Sequence, residues 1–248
     1  MQMVTLADGS PIELEAELAR AGEGTVYLVE AHPEWVAKIF HPHLSDRWAK
    51  LAKITAMAAQ PPHGAVQSDG FVVLAWPQLV LNGDAGACGY VMARVDTANA
   101  VEIHAVSNPS ARAAPPPSAP QWTARLTWMH LVTIAANLCL AVDAVHRTDA
   151  VIGDFQERNI LVSDTSRVTL VDCDSIQFAS PSGHRFLCAV ARPEFTAPEL
   201  AGVDLHSQIR EPSSDLFALA AHIHQLLMAG NHPFLRGTGR GRANSRTR

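Results

Sequence analysis

From Ile152 to Asp174 the chain reads I-G-D-F-Q-E-R-N-I-L-V-S-D-T-S-R-V-T-L-V-D-C-D, and this stretch constrains the fold more than any other. The apolar run Ile160, Leu161, Val162 and the alternating Val168 and Leu170 flank Ser163-Asp164-Thr165-Ser166, the pattern of two short strands joined by a turn. A hairpin of that length returns to its starting point, so Asn159 and Asp172 meet at one end with Asp154 on the loop just before them. Oxygen donors in that arrangement suit a hard cation such as hydrated magnesium.

The rest of the chain can supply a core around this stretch. With 248 residues, 48% of them hydrophobic, it can form one large domain or two small lobes. A formal net charge of -5 gives no electrostatic reason to expect a nucleic-acid partner. Cys88, Cys139, Cys173 and Cys188 form no C-x-x-C pair, so neither zinc nor a disulfide framework is expected, and reduced thiols fit a cytoplasmic location. The opening M-Q-M-V-T-L-A-D-G-S lacks the basic and apolar runs of a signal peptide. Leu126 to Val145 is long enough to cross a bilayer but carries His130, Asn137 and Asp143, which predicts a buried helix and no membrane partner.

Alternating apolar residues broken at Asp8-Gly9 and Gly22-Glu23-Gly24 predict antiparallel strands over residues 1 to about 40, with Val26 and Leu28 beside Val36, Ala37 and Ile39. Lys38 interrupts the buried run V-A-K-I-F and either faces an anionic ligand or points to water from an edge strand. Helical spacing runs from Ser45 as N-cap to Met57, ended by Pro61-Pro62, and strands are expected again at Phe71–Trp76 and Gly89–Val95. A Pro-rich insertion over about 107–120 precedes a long helix, Trp122 to His146, and a later one spans Asp215 to Met228. The Arg-rich tail 237–248 has no apolar period and is expected to be disordered. The close pairs His41/His43 and His222/His224 lack a second ligand cluster and read as ordinary core or surface histidines. No G-x-S-x-G elbow supports a serine hydrolase.

Five segments in order, A-G-E-G-T-V-Y, V-A-K-I-F, I-G-D-F-Q-E-R-N-I-L-V, L-V-D-C-D-S and P-E-F-T-A-P-E-L, resemble the protein kinase superfamily over Leu18 to Phe234. They look most like a bacterial kinase family often joined to a helix-hairpin-helix DNA-binding segment, and no such segment is read here. The resemblance implies a two-lobed α+β fold over 1–236, with an antiparallel-sheet lobe over about 1–94 and a mostly helical lobe over about 95–236. It implies ATP and Mg2+ as cofactors and, as activity, transfer of the γ-phosphate to a serine or threonine hydroxyl of an unidentified protein substrate. A partner phosphatase is implied by the same resemblance. Asp154 becomes the catalytic aspartate, Asn159 and Asp172 the metal ligands, and Lys38 the lysine that holds the α- and β-phosphates. Gly22, Gly24, Val26, Ala37, Met92 and Leu161 become nucleotide contacts, and Asp215 the buried aspartate that ties down the catalytic loop, or otherwise an N-terminal helix charge. Because G-D-x-x-x-x-N followed by D-x-D also resembles small-molecule phosphotransferases, that class is an alternative activity, and a nucleotide-binding scaffold without catalysis is another.

Several positions depart from the family pattern. Ala19 and Ala21 stand where the first two loop glycines are usual, leaving Gly22 as the candidate for a left-handed backbone there. Ile152 and Gly153 replace the His-Arg before the aspartate, which predicts activity without activation-loop phosphorylation. Gln156 replaces a catalytic-loop lysine, so Arg158 is either the cation for the γ-phosphate or a surface arginine. Asp174 is either a further magnesium contact or a strand-end hydrogen bonder. The helix from Ser45 has no glutamate for Lys38, so Asp46 or Asp172 balances the lysine, or the pairing is absent. Glu199 of A-P-E has no evident arginine partner, and the helices usual after Phe234 are missing, which predicts an incomplete second lobe with part of its core exposed.

Overall fold

A computed structural model of the protein describes residues 2–234; the tail expected to be disordered, 237–248, lies outside the described residues. The chain is α+β with antiparallel sheets. Strands β1 (Gln2–Thr5), β2 (Pro11–Arg20), β3 (Gly24–Val29) and β4 (Trp35–Phe40) lead to helix α1 (Arg47–Ala58), after which β5 (Pro77–Gly83) and β6 (Gly86–Ala93) form a hairpin. The six strands close a barrel in the order β1-β2-β3-β4-β6-β5, sealed where Thr5 pairs with Asn82. Its interior holds Val4, Ile12, Leu14, Val29, Ala37, Leu81 and Val91. Strand alternation makes β4 two-faced: Ala37 and Ile39 pack into the barrel, while Val36, Lys38 and Phe40 face away from it.

The apolar run Phe71–Trp76, expected as a strand, instead makes isolated bridges, Val72 to Val66 and Leu74 to Leu170. It is buried almost throughout, so it lacks the alternation that separates a strand from any other buried segment. Trp76 ends it, donating from Nε1 to the Met57 carbonyl at 2.9 Å and so fixing the C-terminal turn of α1. That helix begins after Asp46, one residue later than the Ser45 N-cap predicts.

The second half contains β7 (Ala100–Glu102), α2 (Ile103–Ser107), α3 (Pro109–Ala113) and α4 (Trp128–His146). The Pro-rich interval is therefore partly helical, and Asn108 caps α3 through Oδ1, accepting from Ser110 N at 2.9 Å and Ala111 N at 3.1 Å. Residues Gln121–Arg125 form a separate 3-10 turn, which moves the start of α4 to Trp128. By length and composition α4 could cross a membrane, yet one face, carrying Leu131, Ile134, Leu138, Val142 and Val145, is buried in the core shared with helix α5 (Pro212–Leu227). Between these helices β8 (Ile160–Ser163) and β9 (Val168–Leu170) form the expected hairpin, extended by β7, and β10 (Phe178–Ala179) pairs with β11 (Arg185–Phe186).

Candidate active site

A cleft of about 380 Å³ lies between the β3, β4 and β6 strands and the β8–β9 hairpin. Leu18, Val26, Val36, Met92, Leu161 and Val171 give it apolar walls, and Lys38, Asp172 and Asp174 make one end charged. An apolar cleft with a charged end suits a nucleotide. Five residues assigned to cofactor binding, Gly24, Val26, Lys38, Met92 and Leu161, line it. Ala37 does not: it lies on the barrel face of β4, and period-two alternation puts Val36 in the cleft instead. Gly22 is also outside the lining and its φ is not positive, so it does not supply a left-handed turn. Gly24 has a different requirement, because a Cβ there would meet the Ile39 carbonyl at 2.6 Å.

Lys38 is 6% exposed and binds two carboxylates: Nζ donates to Asp174 at 2.7 and 2.9 Å and to Asp172 Oδ1 at 3.0 Å. Tyr90 OH adds a 2.8 Å bond to Asp174 Oδ1. Burial works against the Lys38 cation, but the Asp174 and Asp172 carboxylates outweigh it and hold its pKa above the ordinary value. Burial would likewise raise Asp174, and Lys38, Tyr90 and Lys53 reverse that and leave it below the usual carboxylate range. Asp174 is therefore the lysine's main partner, with Asp172 the second; Asp46 pairs with Lys50 at 3.5 Å. Asp172 has φ 57 and ψ 36, a left-handed conformation that is costly for a residue with a Cβ and common at working sites.

Where a helix acid was sought for Lys38, α1 presents Lys53, 7% exposed, with no hydrogen bond or ion pair among the described residues. Leu51, Ile54 and Met57 set the inner face of the helix, and Lys53, one turn before Met57, is buried with them. Burial pulls its pKa down to about 8, only partly offset by nearby Cys188 and Asp174. A lowering of that size corresponds to roughly 3 kcal/mol of folding free energy. Since the unfolded lysine binds its proton more tightly, the cost is full below pH 8 and is relieved as pH rises from about 8 towards 10.5. Lys53→Met is expected to raise stability at pH 7 by up to that amount, with the gap to the parent protein narrowing to less than half by pH 9.5. Chemical denaturation at the two pH values checks it, and an equal gap at both would refute the burial account.

The loop 152–159 is held from α5. Asp215 accepts from Ile152 N at 2.7 Å and Gly153 N at 3.0 Å, and from the same helix His222 Nε2 meets the Phe155 carbonyl at 2.9 Å. His222 is buried, its pKa lowered by burial to about 4, so it is neutral and donates there. The paired-histidine signal thus marks a loop anchor. Asp154 Oδ2 accepts from Gln156 Nε2 at 2.6 Å and from Asn159 Nδ2 at 3.4 Å, while Oδ1 has no protein partner among the described residues. Asn159 also donates to the Asp154 carbonyl at 2.9 Å, leaving its own Oδ1 free of protein donors there. Its main-chain carbonyl accepts from Val171 N at 3.0 Å, so the hairpin brings Asn159 and Asp172 to one end as the spacing predicts. Arg158 is exposed and lines a separate hollow with Gln156, Arg192 and Glu194; the structure does not bring it to the cleft.

The donor set fits magnesium. Asp172 is pushed up by burial and by neighbouring Asp174, despite Lys38, and its Oδ2 accepts nothing from the described residues, so a cation there relieves an under-neutralised carboxylate. Asn159 Oδ1 offers a second hard oxygen. Among the described residues no three His, Cys, Asp or Glu side chains cluster for a metal, which leaves the other positions to water and phosphate oxygens, as magnesium prefers.

No family model matches the chain. It is 31% identical over 235 residues to protein kinase YegI of Escherichia coli strain K12, covering 93% of this chain and 34% of that protein. Protein kinase YegI of Escherichia coli O157:H7 is 31% identical over 232 residues, covering 92% and 33%. The chain spans about one third of the length of these curated relatives. Similarity that extends over nearly the whole chain supports a protein-kinase-family relationship.

Proposed function

We propose that the chain is an ATP- and magnesium-dependent phosphotransferase of two-lobed kinase-like build that passes the γ-phosphate to a serine or threonine hydroxyl of a protein. The observation that carries this reading is a cleft whose charged end holds a buried lysine and two aspartates, joined by one hairpin to an α5-anchored loop that carries a third aspartate with one free oxygen. In the reaction Lys38 orients the phosphates, and Asp154 Oδ1 accepts the hydrogen of the attacking hydroxyl. Asp172 and Asn159 would hold magnesium, which when bound neutralises charge on the phosphoryl oxygens. Alignment is the larger part of such catalysis, which is why the loop's two α5 anchors matter.

Incubation with magnesium and γ-labelled ATP, with and without a generic protein acceptor, tests the reading. Label is expected on protein hydroxyls and is expected to vanish with EDTA. Label on small molecules alone would replace the protein acceptor with a small one, and no transfer, with ATP still raising the melting temperature, would leave a nucleotide-binding scaffold.

A further inference from the structure

Gly153 precedes Asp154 with φ +72, and a Cβ built on it would lie 2.7 Å from Arg210 Nη1 and 2.8 Å from Cys188 Sγ. The space beside the catalytic loop is thus filled from elsewhere in the chain. Arg210, two residues before α5, is 2% exposed. Its main chain is clamped by one side chain, with N–H donating to Gln177 Oε1 at 2.9 Å and the carbonyl accepting from Gln177 Nε2 at 2.8 Å. Gln177 in turn exchanges both main-chain bonds with Val151, at 3.0 and 2.7 Å, immediately before the loop. The guanidinium then reaches the 187–192 segment, donating from Nη2 to the Val190 carbonyl at 2.6 Å.

That segment touches the catalytic aspartate through one intermediary. Arg192 Nε donates to Gln156 Oε1 at 3.0 Å, and Gln156 Nε2 donates to Asp154 Oδ2 at 2.6 Å. Hydrogen bonds joined by the main chain from Val190 to Arg192 therefore connect Arg210 to the carboxylate. Resting on the phosphotransfer reading, we infer that Arg210 is a positioning residue: it pins the 187–192 segment, which has no hydroxyl to phosphorylate, so that Gln156 holds Asp154 in its working orientation. The hollow beside Arg210, lined by Gly153, Thr196 and Ser214, measures about 10 Å³, room for one water and not for a phosphoryl group. The guanidinium acts as a fixed tether, and its Nε–H is buried without a hydrogen-bond partner among the described residues.

Arg210→Met and Arg210→Lys, compared with the parent protein shown by intact mass to carry no phosphate, test the inference. Misplacing a catalytic group slightly costs up to about 100-fold, so Arg210→Met is expected to lower kcat by at least about 10-fold with KM for ATP unchanged. Arg210→Lys, which keeps a donor for Val190, is expected to retain more of the rate. Arg192→Ala, at an exposed position, is expected to lower kcat in the same manner. Hydrogen exchange at 187–192 gives a readout independent of activity and is expected to rise in both Arg210 variants, more in the methionine. If the parent protein transfers no phosphate, the phosphotransfer reading fails while exchange still decides the tether. Unchanged exchange in folded Arg210→Met or unchanged kcat in Arg192→Ala would each overturn the proposal; should Arg210→Met not fold, Arg210→Lys and Arg192→Ala carry the test.

Discussion

Asp174→Ala is expected to destabilise the fold by about 3–5 kcal/mol, the range for breaking a buried ion pair by removing one partner. The side chain is 4% exposed and accepts three bonds, two from Lys38 and one from Tyr90. Without it Lys38 keeps only the Asp172 bond at 3.0 Å, Tyr90 OH loses its acceptor, and the unpaired Lys53 cation loses a compensating carboxylate. Asp172 does not take over, because it binds Lys38 through one oxygen only. Since Asp174 is held below the usual carboxylate range, its contribution is present at neutral pH and is lost as pH falls through its folded-state value. Asp174→Asn keeps the Tyr90 acceptor and discards the charge, so its loss should be smaller than that of alanine. Urea unfolding of the three proteins at pH 7 decides the matter, and a loss below about 0.5 kcal/mol for alanine would remove Asp174 from the centre of the cluster.

The hairpin and its ends were legible because their signals are local. Ile160, Leu161 and Val162 pair with Leu170, Thr169 and Val168 in the register the turn predicts, and Asn159 and Asp172 follow. Lys38 was legible for a related reason, since a charge inside V-A-K-I-F demands a partner, but which partner was not. Asp174 follows Asp172 by two residues, and only the 3-10 turn Cys173–Ser175, together with the approach of β4 and β6, turns it onto Lys38 and Tyr90. Spacing along the chain carries no record of such a crossing. Ala37 went astray through strand parity, which β4 makes decisive. Phe71–Trp76 misled through uniform burial, and Arg210 carries no motif at all, since its role comes from 57 residues away at Gly153.

The acid that α1 lacks is therefore supplied from the opposite wall of the cleft, and a lysine occupies the helix face. Lys38, Lys53, Asp172 and Asp174 together are formally neutral, so the lysine keeps its orientation without an acid from α1. The helix is tied instead to the turn over the cleft, where Lys50 Nζ meets Glu23 Oε1 at 2.9 Å. Lys38 orientation and α1 position are thus separately secured: moving the helix need not release the lysine, because both of its partners sit after β9.

Asp154→Asn is expected to lower kcat for phosphotransfer by about 10²–10⁴-fold, the usual contribution of a positioned general base, with KM for ATP within about twofold of the parent value. The split follows from geometry, since Asp154 is absent from the nucleotide cleft lining and its carboxylate is turned to the loop. Asparagine is isosteric and can still accept from Gln156 at the Oδ2 position, so loop geometry and Asp215 anchoring are retained while the proton acceptor at Oδ1 is lost. Gln156→Ala removes the bond that orients the carboxylate but leaves the acceptor, and a loss nearer 10-fold is expected. Single-turnover transfer from γ-labelled ATP separates chemistry from product release, and the ordering Asp154→Asn below Gln156→Ala below parent is the expected result. Equal losses in the two variants would mean that the carboxylate only shapes the loop, and a raised KM for ATP in Asp154→Asn would move this residue from the acceptor side of the reaction to the nucleotide side.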